Sequence, residues 1–334
     1  MRCAPRRVVP ARPLVSRPST CFFRPLHPPQ NPLFVSLPST CSSSLRPSAY
    51  IHTRARTQAR GNATMLQGCT FKSALDKAER ASMGVWQTLP GQNVSRILAR
   101  TPGVDWVLVD CEHGNIDDAA MHEAVPAIAS CGVSPIVRLP DMQGWMIKRA
   151  LDAGAHGILI PLLRSAEEAR KIVAAAKFPP QGQRGLGSPF AMERFNPIPT
   201  MTEYLQHANE SLLTIVQIET QEALDAIEEI AAVPGIDVLF IGPFDLGNNI
   251  GYPILDGVIR PELEQAIDRI LAATTKAGKK AGFFASSGEQ AKKYADKGFH
   301  MINAALDTTL LQASLERSLS AAHGQEAPKA VGRY

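Results

Sequence analysis

Acidic residues are missing from the start of this chain, and the first Asp or Glu is Asp76. The first 60 residues contain ten Arg, ten Pro and eight Ser instead. Such a segment has too few periodic apolar positions to offset the conformational entropy lost on folding. We therefore expect residues 1–64 to be a disordered leader. A folded domain is expected over residues 65–325, followed by a short tail over residues 326–334.

The composition of the leader allows two interpretations. An Arg- and Ser-rich segment without acidic residues is typical of a mitochondrial transit peptide. Its high proline content argues against the amphipathic helix that such peptides form. The alternative is an untranslated or non-functional extension ahead of Met65. The expected location is accordingly cytoplasmic or mitochondrial.

Excess positive charge is confined to the same segment. The formal net charge falls from +4 to −6 once the ten arginines of the first 60 residues are set aside. A domain of that charge gives no indication of a nucleic-acid partner, and none is expected.

Long apolar runs and paired cysteines are also lacking. No run approaches the roughly 18 apolar residues that a membrane-spanning helix needs, so no membrane partner is expected. Of six cysteines, three lie in the leader. Cys69, Cys111 and Cys131 have no C-x-x-C spacing, which argues against a disulfide framework or a zinc site and indicates a reducing compartment.

Beyond the leader, short apolar runs alternate with helix-like segments. This alternation predicts eight β-strands, at 83–87, 106–113, 135–138, 157–163, 212–219, 238–245, 281–286 and 301–307. Eight successive βα units favour a parallel (β/α)₈ TIM barrel. A doubly wound sheet also alternates but does not need eight successive units. Seven units, or a discontinuous sheet, is the alternative.

Charged residues end several of these predicted strands. The fifth and sixth apolar runs end in the carboxylates of Glu219 and Asp245, the third ends at Arg138, and the second ends with His113. The carboxyl ends of barrel strands form one rim, where active sites lie. Two carboxylates there favour a divalent metal, because they otherwise repel each other. The alternative is that both residues cap the following helices.

Other residues narrow the chemistry. None of the twelve lysines follows a predicted strand, which disfavours an imine mechanism. Cys111 and His113 could form a thiolate–imidazole pair, although such pairs are rarely neighbours in sequence. The loop Gly185-Leu186-Gly187-Ser188 could bind a carboxylate or a phosphate through its backbone amides, but a plain turn is favoured on the sequence alone.

A set of motifs in a fixed order resembles the HpcH/HpaI aldolase family over about residues 66 to 320. The motifs are VLVDCEHG, PIVRLP, LDAGAHGILIPLLRSAEEA, RGLGS, VQIET, FIGPFDLG and LDTTLL. The resemblance implies a (β/α)₈ barrel, commonly hexameric, that acts as a metal-dependent pyruvate aldolase. Its expected substrates are 4-hydroxy-2-oxo acids, such as 4-hydroxy-2-oxoheptanedioate and 2-keto-3-deoxy sugar acids. The expected partners are therefore a small 2-oxo acid, an aldehyde and further copies of the same chain.

The resemblance also implies roles for individual residues. Glu219 and Asp245 correspond to ligands of a divalent metal (Mg, Mn or Co). His113 corresponds to a catalytic histidine paired with Asp152, and Arg138 to the arginine that binds pyruvate and its enolate. The other implied substrate-binding residues are Gln217, Gly187 and Ser188.

Local departures from the family pattern concern the aldehyde side of the site. Phe244 stands where a small residue is common, and Cys111 and Asn115 replace more usual residues. Two other functions fit the same residues. One is a citrate-lyase or malyl-CoA-lyase type of enzyme that cleaves an acyl-CoA, and the other is a non-catalytic barrel used for assembly.

Overall fold

The structure, a computed structural model, describes residues 65–326. Eight parallel strands close into a barrel in sequence order, and the last strand pairs with the first. The predicted (β/α)₈ fold is thereby confirmed. The strands are β1 (Ser82–Gln87), β2 (Trp106–Asp110), β3 (Ser134–Arg138), β4 (Gly157–Ile160), β5 (Leu213–Ile218), β6 (Val238–Ile241), β7 (Lys280–Phe284) and β8 (Met301–Leu306).

Helices connect the strands around the outside of the barrel. They are α1 (Met65–Gly68), α2 (Thr70–Lys77), α3 (Gln92–Ala99), α4 (Asp118–Ala129), α5 (Gly144–Ala153), α6 (Ala166–Ala176), α7 (Met201–Ser211), α8 (Gln221–Asp225), α9 (Ile227–Ala231), α10 (Pro243–Asn249), α11 (Pro261–Lys276), α12 (Gly288–Lys297) and α13 (Asp307–Ala322). A 3₁₀ turn, Ala191–Arg194, interrupts the long connection between α6 and α7.

The strand period of two divides the core into two layers. Alternate strand residues form a cluster inside the barrel, including Trp106, Leu108, Ile136, Ile215 and Phe240. The residues between them pack outward against the helices. Along β2, the inward positions 106 and 108 continue to 110. The same alternation carries the inward positions of β3 to 138 and those of β5 to 217 and 219. Polar side chains therefore form the uppermost inward layer.

The opposite, N-terminal end of the barrel is closed by α2 and by buried polar contacts. Phe71 and Leu75 of α2 join the interior cluster, and the Phe71 backbone N–H donates to Ser134 Oγ at 3.3 Å. His156 is buried there, with Nδ1 3.0 Å from Ser134 Oγ and Nε2 2.8 Å from the Arg194 carbonyl oxygen. Burial lowers the pKa of His156 to about 4, although the hydrogen bond to Arg194 opposes this shift.

The predicted strand ends need correction in several places. β2 ends at Asp110 rather than at residue 113, because the Asp110 carboxylate accepts the backbone N–H groups of Glu112 and His113 and so turns the chain. Likewise β4 ends at Ile160 and β7 at Phe284. Asp245 is not a strand residue, because β6 ends at Ile241 and the proline of α10 begins a helix two residues later.

The leader interpretations concern residues 1–64, which lie outside the described residues and stay predictions, as does the expected location. The tail is described only to Glu326. Between residues 65 and 326, no helix is both long and apolar enough to span a bilayer. In the same range Cys69, Cys111 and Cys131 are free thiols.

Candidate active site

Arg138 and Asp110 form a buried ion pair with two hydrogen bonds at the C-terminal end of the barrel. They are the last residues of β3 and β2 and lie side by side in the register. Arg138 Nε donates to Asp110 Oδ1 at 2.9 Å, and Nη2 donates to Oδ2 at 2.6 Å. Trp86 Nε1 donates to the same Oδ2 at 3.0 Å. Burial by itself raises the pKa of Asp110, but the Arg138 and Trp86 donors outweigh it, and the pKa is lowered. Both side chains are therefore charged and fixed.

Glu112 and His113 follow this pair in the loop after β2. Glu112 Oε2 lies 3.0 Å from Arg138 Nη1. His113 Nε2 lies 3.8 Å from Glu112 Oε1, and 69% of the His113 side chain is exposed. Burial raises the pKa of Glu112, and the charges of Asp110 and Asp245 act in the same direction. The imidazole is thus accessible to a small molecule beside a group of carboxylates.

Glu219 follows β5 and is almost completely buried. Its Oε1 accepts the Leu162 backbone N–H at 2.7 Å, and its Oε2 accepts a short hydrogen bond from Gln217 Nε2. Leu162 has a φ of 54°, a left-handed conformation that costs a non-glycine residue roughly 1 kcal/mol or more and here directs its N–H to Glu219. Burial, helped by the charges of Asp245 and Glu112, raises the pKa of Glu219 to about 7.

Gly242 leaves open the space beside Glu219. A Cβ at this position would lie 2.5 Å from Glu219 Oε2 and 2.6 Å from Gln217 Nε2. Gln217 Oε1 is buried without a hydrogen-bond partner. Asp245 lies three residues further on, exposed in the first turn of α10. Glu219, Gln217 and Asp245 thus present oxygen atoms to one region. No group of three or more His, Cys, Asp or Glu residues with metal-binding geometry occurs among residues 65–326.

Gln217, Gly242 and Asp245 border a cavity of about 320 Å³ at the rim. Of its twelve lining residues, half are polar: Thr88, Asp110, His113, Arg138, Gln217 and Asp245. The other half is apolar, from Trp86, Gly242, Pro243, Phe244, Phe284 and Leu306. No lysine lines the cavity in the described part of the chain. Thr88 is fixed by Asp307, whose carboxylate accepts the Thr88 backbone N–H at 2.9 Å and the Thr88 hydroxyl at 2.7 Å.

Three of the residues singled out from the sequence lie elsewhere. Asp152 is near the end of α5, which runs from the C-terminal end of β3 back to the N-terminal end of β4. There its Oδ1 accepts a hydrogen bond from Arg184 at 3.0 Å, and its carbonyl oxygen accepts one from Ser188 Oγ at 2.7 Å. Gly187 adjoins Ser188 in that loop. Within one chain, therefore, the predicted His113–Asp152 pair does not form, and the Gly187–Ser188 loop lies away from Glu219.

The structure also adds residues that sequence reasoning missed. Asp110, Trp86, Leu162 and Gly242 were not predicted as part of the site. The alternation of inward residues along β2 pointed to Asp110, but the strand was expected to continue to residue 113. The left-handed backbone of Leu162 has no sequence signal, because leucine rarely adopts it.

Comparisons with known proteins agree with this geometry. The family model described as HpcH/HpaI aldolase/citrate lyase matches residues 83–313. The chain is 38% identical over 248 residues to the 4-hydroxy-2-oxo-heptane-1,7-dioate aldolase of Shigella flexneri, covering 74% of this chain and 90% of that protein. It is 35% identical over 260 residues to the hydroxypyruvate/pyruvate aldolase of Agrobacterium fabrum, covering 78% and 95% respectively.

A solved structure is similar as well. A HpcH/HpaI aldolase/citrate lyase family protein from Burkholderia cenocepacia J2315 superposes with a TM-score of 0.69 at 33% identity. The match covers 75% of this chain and 98% of that protein. Residues 83–313, which the family model matches, contain every rim residue described above.

Proposed function

This chain belongs to the HpcH/HpaI aldolase/citrate lyase family and is an enzyme of the aldolase type; we propose that it cleaves 4-hydroxy-2-oxo acids reversibly to pyruvate and an aldehyde. One observation carries the proposal. A charged arginine, Arg138, is held by Asp110 at the same cavity that the carboxylate of Asp245 lines. Such a site can bind an anionic 2-oxo acid and stabilise the negative charge that develops on its keto oxygen.

A divalent metal (Mg, Mn or Co) is proposed to be held by Glu219 and Asp245. The family is generally dependent on a divalent metal. The residues present fit such an ion, because their donors are hard oxygen atoms and the buried Glu219 lies in the field of two further carboxylates. Gln217 Oε1 is an unpartnered acceptor beside them. When bound, a divalent cation polarises the carbonyl group of the 2-oxo acid.

The residues of the chain account for the remaining steps. His113 is proposed to take the proton of the C4 hydroxyl, because its imidazole is accessible and borders the cavity. As the C3–C4 bond breaks, its electron pair stays with the pyruvate fragment as an enolate. Arg138 is already oriented by Asp110, so its N–H donors need no rearrangement when this charge appears. Protonation at C3 then gives pyruvate.

The alternatives drawn from the sequence are less well supported. The curated relatives reported above are aldolases rather than acyl-CoA lyases. A non-catalytic barrel does not explain a charged, fixed arginine that borders a cavity with an accessible histidine.

The protein is further proposed to act as a homo-oligomer, and the hexamer stays a prediction. Two observations support an assembly. Four leucines of α13 are exposed, Leu310, Leu311, Leu315 and Leu319. Asp152 lies at the end of the barrel opposite the cavity and does not pair with His113 of its own chain. If the implied pair forms, the Asp152 carboxylate comes from a neighbouring copy. Light scattering coupled to gel filtration gives the number of chains in the assembly.

The central proposal is tested without an aldehyde. In D₂O, an enzyme that forms the pyruvate enolate exchanges the methyl protons of pyruvate, which proton NMR detects as loss of the methyl signal. We expect exchange with Mg²⁺, Mn²⁺ or Co²⁺, and its loss on treatment with EDTA. Protein that exchanges no protons with any of these metals contradicts the proposal.

A further inference from the structure

The cavity divides into a polar side and an aromatic side. The polar side comes from the ends of β2, β3 and β5 and from Asp245. The aromatic side comes from β1, β7, β8 and the first turn of α10, which contribute Trp86, Phe284, Leu306 and Phe244. The polar side contains Arg138 and Asp245, which the proposed function assigns to the 2-oxo acid portion of the substrate. The remaining, aldehyde portion therefore lies against the aromatic side.

Three rings on that side form a continuous surface. The Trp86 and Phe284 ring centroids are 5.0 Å apart in an edge-to-face arrangement. The Phe244 and Phe284 centroids are 6.3 Å apart, also edge to face. Aromatic rings at such separations attract a further ring by about 0.5–1.5 kcal/mol beyond the burial of area. Phe244 and Phe284 are both partly exposed, and Trp86 is buried next to Phe284.

Charged groups that could bind a second carboxylate are absent from the described lining. Its one permanent cation is Arg138, whose Nε and Nη2 donate to Asp110 and whose Nη1 lies 3.0 Å from Glu112. The Thr88 hydroxyl, two residues after Trp86 in the cavity lining, donates its hydrogen to Asp307. A carboxylate would therefore lose hydration against the rings without a donor in exchange, and the rings themselves offer hydroxyl groups no strong acceptor.

The size of the cavity restricts the substrate as well. Small-molecule sites commonly span ~300–1,000 Å³, and this cavity of about 320 Å³ is at the lower limit of that range. It must hold the pyruvate portion and the aldehyde portion together. A single ring fits this requirement better than a long chain or a fused ring system.

We propose that the aldehyde released by this enzyme is a compact aromatic aldehyde, so that the substrate is a 4-aryl-4-hydroxy-2-oxobutanoate; this rests on the proposed function. In cleavage the C3–C4 bond breaks, the C4 hydroxyl loses its proton, and C4 leaves as the aryl aldehyde. The electron pair remains on C3, which takes up one proton to become the methyl group of pyruvate. The aryl ring lies against Phe284 and Phe244. By contrast, the Shigella flexneri relative is named for a dioate, which carries a carboxylate at its far end.

The test measures the reverse reaction, addition of pyruvate to benzaldehyde, succinic semialdehyde or glyceraldehyde. With Mg²⁺ present, we expect kcat/KM for benzaldehyde to exceed that for either other aldehyde by about tenfold or more. Phe284→Ala should reduce the ratio of benzaldehyde to glyceraldehyde kcat/KM by about tenfold, whereas Phe284→Tyr should retain most of it. Ile97→Ala, an exposed apolar residue on α3, is the matched control and should leave the ratio unchanged.

Failure of this inference differs from failure of the proposed function. If the wild-type protein exchanges the pyruvate methyl protons but uses succinic semialdehyde or glyceraldehyde as well as benzaldehyde, the aromatic assignment is wrong and the aldolase remains. An unchanged aldehyde ratio in Phe284→Ala also overturns the assignment. If no exchange occurs with any of the three metals, both proposals are wrong.

Discussion

Asp110 holds Arg138 by two hydrogen bonds between the last residues of adjacent strands, at 2.9 and 2.6 Å. A planar guanidinium bonded in this way cannot rotate away from the cavity, since Trp86 lies over it with the ring centroid 4.9 Å from Arg138 Cζ. The orientation of the proposed oxyanion donor is thus a property of the barrel itself rather than of a mobile loop.

Removal of the arginine should affect stability and chemistry separately. Arg138→Ala leaves Asp110 buried and unpaired, which should cost about 3–5 kcal/mol of unfolding free energy. Proton exchange should fall by on the order of a hundredfold. The double variant Asp110→Asn/Arg138→Gln removes both charges and should recover much of the stability in a denaturant titration, but not the exchange. Recovery of exchange as well would show that Arg138 has no chemical role.

Arg138→Lys provides a stricter comparison for the same contact. Lysine keeps the positive charge but cannot donate to both oxygens of Asp110 in one plane. We expect stability closer to wild type than in Arg138→Ala, with exchange still strongly reduced. Full exchange in the lysine variant would mean that charge alone suffices, and orientation by Asp110 would then be irrelevant.

Glu219→Gln should abolish proton exchange and aldol cleavage together, since both require the enolate. It should also weaken binding of Mn²⁺ in isothermal titration calorimetry, because a neutral amide is a poorer ligand than a carboxylate. Glu222→Gln is the matched control, an exposed carboxylate three residues away on α8. Metal binding that is unaffected by Glu219→Gln would remove this residue from the proposed ligands.

Gly242→Ala tests the space beside Glu219 without changing any charge. The added methyl group would lie 2.5 Å from Glu219 Oε2, so the carboxylate or β6 has to move. We expect weaker Mn²⁺ binding and strongly reduced exchange, with the secondary structure unchanged by circular dichroism. Gly288→Ala adds a methyl group in open space and should behave like wild type.

His113 and Asp152 can be tested by mixing two inactive variants. If neighbouring copies combine these residues in one site, hybrids of His113→Ala and Asp152→Ala contain some sites with both wild-type residues. We expect the mixture, after dissociation and reassembly, to recover part of the cleavage activity that each variant lacks. Full activity of Asp152→Ala alone would show that Asp152 does not act with His113. The ion pair between Asp152 and Arg184 would then have a structural role only.

The buried His156 predicts an acid-sensitive stability. Its folded pKa of about 4 lies below the ordinary histidine value of 6.5, so below pH 6.5 the unfolded chain takes up a proton that the folded chain does not. Stability should therefore decrease as the pH falls from 6.5 to 4, by up to on the order of 3 kcal/mol from this group. Urea titrations at pH 7 and pH 5, at one protein concentration, measure the decrease. In His156→Gln the decrease should be smaller; an equal one would assign it to other groups.

The sequence predicts those features of the site that are fixed within one strand, but not those that depend on the pairing of two strands. Arg138 and Glu219 were predicted at the rim because each directly ends a buried apolar run, and strand direction fixes the end at which they lie. Asp110 was not assigned to the site, because its contact with Arg138 depends on the register between two strands, which neither strand encodes alone. The turn after β2 has a different, local cause, because the Asp110 side chain accepts the backbone N–H groups of Glu112 and His113. An aspartate at the end of an apolar run does not by itself predict such a turn.

Helix direction explains the misplacement of Asp152. A helix of ten residues is about 15 Å long, and α5 begins near the rim, so its end lies near the other end of the barrel. A short motif such as LDAG carries no information about that distance. The resemblance gave a residue for the dyad, but only the fold shows that one chain cannot form it.

The pairing of β8 with β1 has a consequence for the synthesis of the protein. Trp86 comes from the first strand, whereas Phe284 and Leu306 come from the last two, and Asp307 reaches back to fix Thr88. The cavity can therefore form only after the ribosome has released nearly the whole chain. A chain that ends before residue 306 lacks one wall of its own site, so the cavity is among the last parts of the barrel to form during synthesis.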